Sequence, residues 1–152
     1  MLDRKEYVID ENIILKPVPN NDDIVYKYII KMHEHHNNID NICPVQDVKR
    51  FNKMDNSVFW LIYYNNEIVG FLNMVYREQC IDNTIEIHRF YVDDIYRKYG
   101  IGSKIIQALK LVVKEKGYKG IVAKVYCDNP AINFYERNGF KTYYRYMISE
   151  IE

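Results

Sequence analysis

The sequence predicts an α/β fold: one domain with a mixed sheet and flanking helices, in the order β-α-α-β-β-β-α-β-α-β. Three observations predict it. Residues 84–92 are rich in β-branched and aromatic side chains, which suit a strand. After them Ile101, Ile105, Ile106, Leu109, Val112 and Val113 recur at helical spacing. Two further strand-like runs, 58–63 and 68–76, are separated by Asn65-Asn66-Glu67, a tight polar turn that makes them an antiparallel hairpin.

The remaining elements follow in chain order. Residues 12–18 read as a first strand ending at Pro17 and Pro19. Asp22 and Asp23 open a helix to about residue 33, with Ile24, Tyr28 and Ile29 on one face. Residues 46–53 read as a second short helix. Trp60, the sole tryptophan, is expected in the core or on a sheet face, and residues 78–83 form a polar loop. The long helix over 100–116 ends at Gly117, which suits a left-handed cap. Residues 121–126 read as a buried strand. Asn129 and Pro130 open a helix that stops at Gly139. Residues 140–151 read as a final strand.

Composition narrows the function classes. At 152 residues, 48% apolar and 28% charged, the chain can bury a core and stay soluble. The 21 basic and 21 acidic residues balance, so nothing suggests a nucleic-acid or membrane surface. The charged N-terminus has no apolar stretch behind it, and no run approaches the ~20 residues that span a bilayer, so a signal peptide and a transmembrane segment are not expected. Cys43, Cys80 and Cys127 are odd in number and widely spaced, which fits reduced thiols in a cytoplasmic protein. His33, His35 and His36 invite a metal, but Asn37 stands where His-Glu-x-x-His needs its second histidine, and the expectation is no metal.

The most informative stretch joins the strand at 84–92 to the long helix: Arg97-Lys98-Tyr99-Gly100-Ile101-Gly102-Ser103. A helix start carries unpaired N–H donors and a partial positive charge, and two glycines leave those donors unshielded. Arg97 and Lys98 add formal charge. The turn reads as an anion site for a phosphorylated ligand. It is neither a P-loop nor a Gly-x-Gly-x-x-Gly dinucleotide turn, since Ile105 occupies the third glycine position.

Arg97-x-x-Gly100-x-Gly102 after a strand resembles the Arg/Gln-x-x-Gly-x-Gly/Ala signature of the GCN5-related N-acetyltransferase (GNAT) superfamily. A second segment is similar to that family's Asn-x-x-Ala-x-x-x-Tyr-x-x-x-Gly-Phe pattern. Ala131, Tyr135, Gly139 and Phe140 match in register, whereas Asp128 stands in the asparagine's place and Asn129 follows it. The element order is also that of the GNAT fold.

The resemblance implies an acetyl-CoA-dependent N-acetyltransferase that works by direct attack of an amine within a ternary complex. The loop Arg97, Lys98, Tyr99, Gly100, Ile101, Gly102 and Ser103 would hold the pyrophosphate of acetyl-CoA. The strand end at Phe90, Tyr91 and Val92 would take the pantetheine arm, with one amide of Phe90 or Val92 polarising the thioester carbonyl. Asn129 reads either as a helix cap or as a cofactor contact, and Asn133, one turn later, as a pantetheine contact. Tyr135 would protonate the departing thiolate. Glu86 lies 11 residues before Arg97, the offset of a catalytic glutamate in histone-acetylating members. Strand alternation puts Glu86, His88 and Phe90 on one face, so Glu86 or His88 is the candidate base. Cys127 as a ping-pong nucleophile is disfavoured, because no histidine lies near it in sequence. The acceptor pocket would come from residues 20–55 and 78–83, and its amine stays open, as does a longer acyl donor. Homodimers are common in the family, so a homodimer is a further expectation. The alternatives are a non-catalytic acyl-CoA-binding GNAT module, acting as a sensor or regulatory subunit, and a plain phosphate- or nucleotide-binding α/β domain.

Overall fold

The computed structural model describes residues 2–36, 56–76 and 81–152. The expected second helix at 46–53, Cys43 and Cys80 lie outside the described residues, as do the side chains of His35 and His36. The described elements are β1 (Tyr7–Val8), β2 (Ile13–Val18), α1 (Asp23–His36), β3 (Ser57–Tyr64), β4 (Glu67–Val75) and β5 (Thr84–Val92). A 3-10 helix (Asp94–Tyr99), α2 (Ile101–Glu115), β6 (Gly120–Ala123) and α3 (Ala131–Arg137) follow. The six strands form one mixed sheet in the order β1-β2-β3-β4-β5-β6. Every neighbouring pair is antiparallel except β5 and β6, which are parallel.

The sheet separates two apolar clusters. On one face Val25, Tyr28 and Ile29 of α1 pack on Phe59, Leu61, Phe71 and Tyr91. On the other, Ile101, Ile105, Ile106, Leu109 and Val113 of α2 pack on Ile13, Leu15, Trp60, Leu72, Ile85 and Ile87. The apolar positions of α2 recur every three or four residues, so a single stripe is covered by the sheet. Trp60 is buried, with its indole N–H donating to Lys5 O at 2.9 Å.

Turn chemistry is local and follows the sequence. Asn65 and Asn66 both adopt positive φ (48° and 68°), as a two-residue hairpin turn requires, and asparagine tolerates this better than most side chains. Gly117 has φ 83° directly after α2, and its N–H donates to Lys114 O at 3.0 Å.

Three elements differ from expectation. A short β1 precedes β2, where Asp10 Oδ1 accepts from the N–H groups of Asn12 and Ile13 and folds the turn between them. The strand expected over 121–126 is four residues long, Gly120–Ala123, and only partly buried. The final strand expected over 140–151 does not form: residues 141–152 are exposed, with Tyr146 at 83% and Met147 at 92%. Strand propensity alone does not make a strand, because it needs an edge to pair with, and β6 offers only four residues.

Candidate active site

The site is built where two neighbouring strands part. β5 and β6 pair through Thr84↔Gly120, Ile85↔Ile121, Glu86↔Val122 and Ile87↔Ala123, and there the parallel ladder stops. β5 runs on to Val92 while its other edge stays paired with β4, through Phe90↔Leu72, Tyr91↔Phe71 and Val92↔Gly70. Residues 88–92 therefore turn some main-chain groups toward a strand that has ended. Gly70 makes the β4 side possible: a Cβ there would lie 2.1 Å from Tyr91 O.

Beyond Val92 the chain forms the 3-10 helix and enters α2 through Gly100, whose φ is 70°. No side chain caps the start of α2, so its first N–H groups keep their positive end pointed outward. Ile101 is buried in the core, so it can offer a ligand only its main chain. A Cβ on Gly102 would meet the Phe134 ring at 3.2 Å, so glycine lets α3 close over the helix start. Arg97 braces this turn: its Nε donates to Val92 O at 2.8 Å, its Nη2 lies 3.2 Å from Asp94 Oδ1, and its guanidinium carbon is 5.1 Å from the Tyr91 ring centre. Lys98 is exposed, and Tyr99 stacks on Tyr64 with centroids 5.6 Å apart. Tyr91 is buried in the α1-side cluster, and burial raises its hydroxyl above the ordinary range.

The expected shared face of Glu86, His88 and Phe90 is not formed. The β4–β5 register runs Asn73↔Arg89 and then Met74↔Ile87, so His88 is an extra residue in a bulge. A bulge reverses the parity of a strand. Ile85 and Ile87 before it, and Phe90 and Val92 after it, all pack in the α2-side cluster, and Tyr91 packs on the α1 side. Glu86 and Phe90 thus face opposite sides of the sheet, while Glu86 and His88 still meet. His88 Nδ1 lies 3.3 Å from Glu86 Oε2, and Lys124 Nζ lies 3.4 Å from Glu86 Oε1. The Glu86 side chain is 1% exposed, against 26% for His88.

α3 carries Tyr135 to the α2 side of the sheet. Its ring packs edge-on against Phe134 and Phe140, with centroids 5.2 and 5.1 Å away, and burial pushes its hydroxyl up to about 12. Phe134 in turn lies 6.0 Å from Phe90 on β5. Asn129 caps α3: its Oδ1 accepts the Ala131 N–H at 2.9 Å. Asn133 is exposed one turn on.

The profile of the acetyltransferase (GNAT) family matches residues 26–140, three quarters of the chain. The chain belongs to the GNAT acetyltransferase family. BSU40680 of Bacillus subtilis (strain 168), which carries an acetyltransferase name, is 31% identical over 104 residues, 66% of this chain and 65% of that protein. The uncharacterized protein YyaT of the same organism is 31% identical over 81 residues, 53% of this chain and 51% of its own length. The match thus spans less than two thirds of either relative. Among solved structures, the aminoglycoside acetyltransferase meta-AAC0020 from an uncultured soil metagenomic sample superposes with a TM-score of 0.67 at 21% identity, covering 95% of this chain and all of that one. AAC(6')-Iy, bound to a CoA-linked acetylneamine bisubstrate analogue, superposes with a TM-score of 0.64 at 11% identity, covering 93% and 99%. These likenesses establish the fold.

Within this GNAT domain the loop 97–103 and the strand end 90–92 are adjacent, and Phe134 brings α3 beside them. Glu86 and His88 come together on the far side of the bulge. Among the described residues His33, Cys127 and Asp128 lie in no metal-ligating cluster. No helix among them is long and apolar enough to cross a membrane. Three residues escape the sequence pattern: Lys124, Asn73 and Asn138. Lys124 and Glu86 meet only because Val122 pairs with Glu86. Buried Asn73 donates to Ser57 Oγ at 2.8 Å and accepts from Arg89 at 3.3 Å. Asn138, after α3, accepts from Gln107 Nε2 at 3.2 Å and donates to Ser103 Oγ at 3.1 Å. An asparagine directly before the helix-ending Gly139 was the one available signal for Asn138.

Proposed function

We propose that the chain, as one GNAT domain, transfers an acetyl group from acetyl-CoA to a primary amine of a small molecule or protein, in a ternary complex. The observation that carries this reading is the end of the β5–β6 ladder at Ile87 and Ala123 beside the uncapped start of α2. A pantetheine arm can take the place of the missing strand, and N–H groups at 101–103 can receive the pyrophosphate. An amide of Phe90 or Val92 would polarise the thioester carbonyl. The amine nitrogen forms a bond to the carbonyl carbon, a base takes its proton, and the carbon–sulfur bond breaks. Tyr135 would protonate the departing thiolate. Cytoplasmic location accompanies this reading.

The test is release of free thiol from acetyl-CoA in the presence of an amine panel: polyamines, amino acids, lysine peptides and aminoglycosides. The last are included because aminoglycoside acetyltransferases share the fold. Thiol release with one acceptor class supports the proposal. Binding of CoA with no release across the panel would overturn it and leave a binding module.

A further inference from the structure

β6 and the arm formed by residues 141–152 are complementary. β6 is the outermost strand of the sheet, so β5 covers one of its edges and no other described strand covers the second. Its four residues are only partly buried, and Tyr126, three residues beyond it, is 65% exposed. An open edge of this kind is a template for another strand. The arm is strand material. Phe140 still packs in the α2-side cluster and its N–H donates to Tyr135 O at 3.0 Å, whereas every residue from Lys141 on is exposed. Tyr143, Tyr146, Met147, Ile148 and Ile151 each keep at least 70% of their surface in solvent. Tyr144 and Tyr146, two residues apart, pack edge-on with ring centres 5.2 Å apart, as neighbours on one face of an extended chain do. Ile148 continues that face in sequence. A contiguous apolar row of this size marks an interaction surface.

We propose that the arm's partner is a second copy of this chain: the arm of each copy adds as an antiparallel strand to the β6 edge of the other and closes a two-fold dimer. Twelve extended residues reach about 40 Å, enough to cross to a neighbour. A single ladder on four residues is too short to hold the arm within its own chain. Reciprocal exchange makes two ladders that form together and encloses the apolar face of both arms. The buried area is sufficient. At roughly 150 Å² for each tyrosine, Tyr143 and Tyr146 of the two copies supply about 600 Å². Met147, Ile148 and Ile151 from each copy carry the total past the ~1,000 Å² that a specific interface needs. Charge selects the direction. Setting Tyr146 to Ile148 against β6 in antiparallel sense brings Glu150 and Glu152 toward exposed Lys119, whereas a parallel strand would bring them toward Lys124, which already faces Glu86 at 3.4 Å. β6 is also the strand whose parting from β5 opens the candidate site, so the partner's arm braces that wall. This inference stands on the fold and does not depend on the acetyl-transfer reading.

The test uses the full chain. Sedimentation equilibrium should give twice the mass of the chain. Tyr146→Lys combined with Ile148→Lys puts charge on the face set against β6 and should weaken the dimer about 100-fold, the loss expected when two central anchors go together. Both side chains are exposed in the single chain, so the double variant should still fold, which circular dichroism checks. Lys141→Ala, ahead of the apolar face, should leave the dimer unchanged. In a dimer reassembled from equal amounts of ¹⁵N-labelled and ¹³C-labelled chains, isotope-filtered NOEs should connect β6 amides of one copy to side chains of residues 143–148 of the other. A mass other than twice the chain's, a dimer indifferent to the double variant, or NOEs that join the arm to β6 of its own chain would overturn the proposal.

Discussion

Ile87 on β5 pairs with Ala123 on β6, and this is the last rung of the only parallel ladder among the described residues. One residue later the bulge at His88 shifts the strand's parity. Within two residues the structure thus opens a strand edge and turns Glu86 away from Phe90.

Gly102→Glu tests the helix start. A Cβ already meets the Phe134 ring at 3.2 Å, and a carboxylate there would oppose a pyrophosphate. CoA affinity should fall by about 10-fold or more, since one unfavourable contact of ~1.4 kcal/mol is a factor of ten. Isothermal titration of the variant measures it, with circular dichroism confirming that α2 persists.

Tyr135→Phe should lower kcat by about 100-fold, the lower end of general-acid contributions, and leave the Kd for CoA unchanged. Stopped thiol-release assays and a CoA titration separate the two effects. The same residue has a stability signature. Its folded value, about 12, lies above the unfolded one, so above ~10 the unfolded state releases a proton that the folded state keeps. Stability from Tyr135 is complete below about pH 10 and is lost as pH rises toward 12. Denaturant midpoints across that window should fall less steeply in Tyr135→Phe.

Asn138→Ala removes the acceptor for Gln107 and the donor to Ser103, which join the end of α3 to α2, and the donor to Phe134 O within α3. Leaving these part-buried partners unmatched costs about 1 kcal/mol, the low end of the range for an unsatisfied group. The melting temperature should drop by several degrees, and kcat should fall as well, because Tyr135 rides on the same helix.

Gly70→Ala probes the β4–β5 contact. Its Cβ would sit 2.1 Å from Tyr91 O, which no side-chain adjustment relieves. The expected cost is the upper part of the ~1–3 kcal/mol range for overpacking. Chemical denaturation measures it, and an unchanged midpoint would contradict the pairing of Gly70 with Val92.

What the sequence made legible was local. The Asn65-Asn66 turn, the Gly117 cap and the helical stripe from Ile101 to Val113 each depend on a few neighbouring residues, and each is where the pattern put it. The Arg97-x-x-Gly100-x-Gly102 stretch was legible for the same reason. The bulge at His88 was not, because it is a property of how β5 registers with β4, and nothing in 84–92 marks it. The Glu86–Lys124 pair depends on the β5–β6 alignment and was equally hidden. The final strand was over-read: Tyr143, Tyr144, Tyr146 and Ile148 have strand propensity, but pairing with a four-residue β6 decides whether it is used.

The proposed function places coenzyme A on main-chain amides at the end of β5 and the start of α2. Backbone ¹H–¹⁵N spectra recorded while CoA is titrated into the ¹⁵N-labelled chain test it most directly. Saturable shifts concentrated at Phe90, Val92, Ile101, Gly102 and Ser103 are expected; no shifts, or shifts centred elsewhere in the sheet, would contradict that placement.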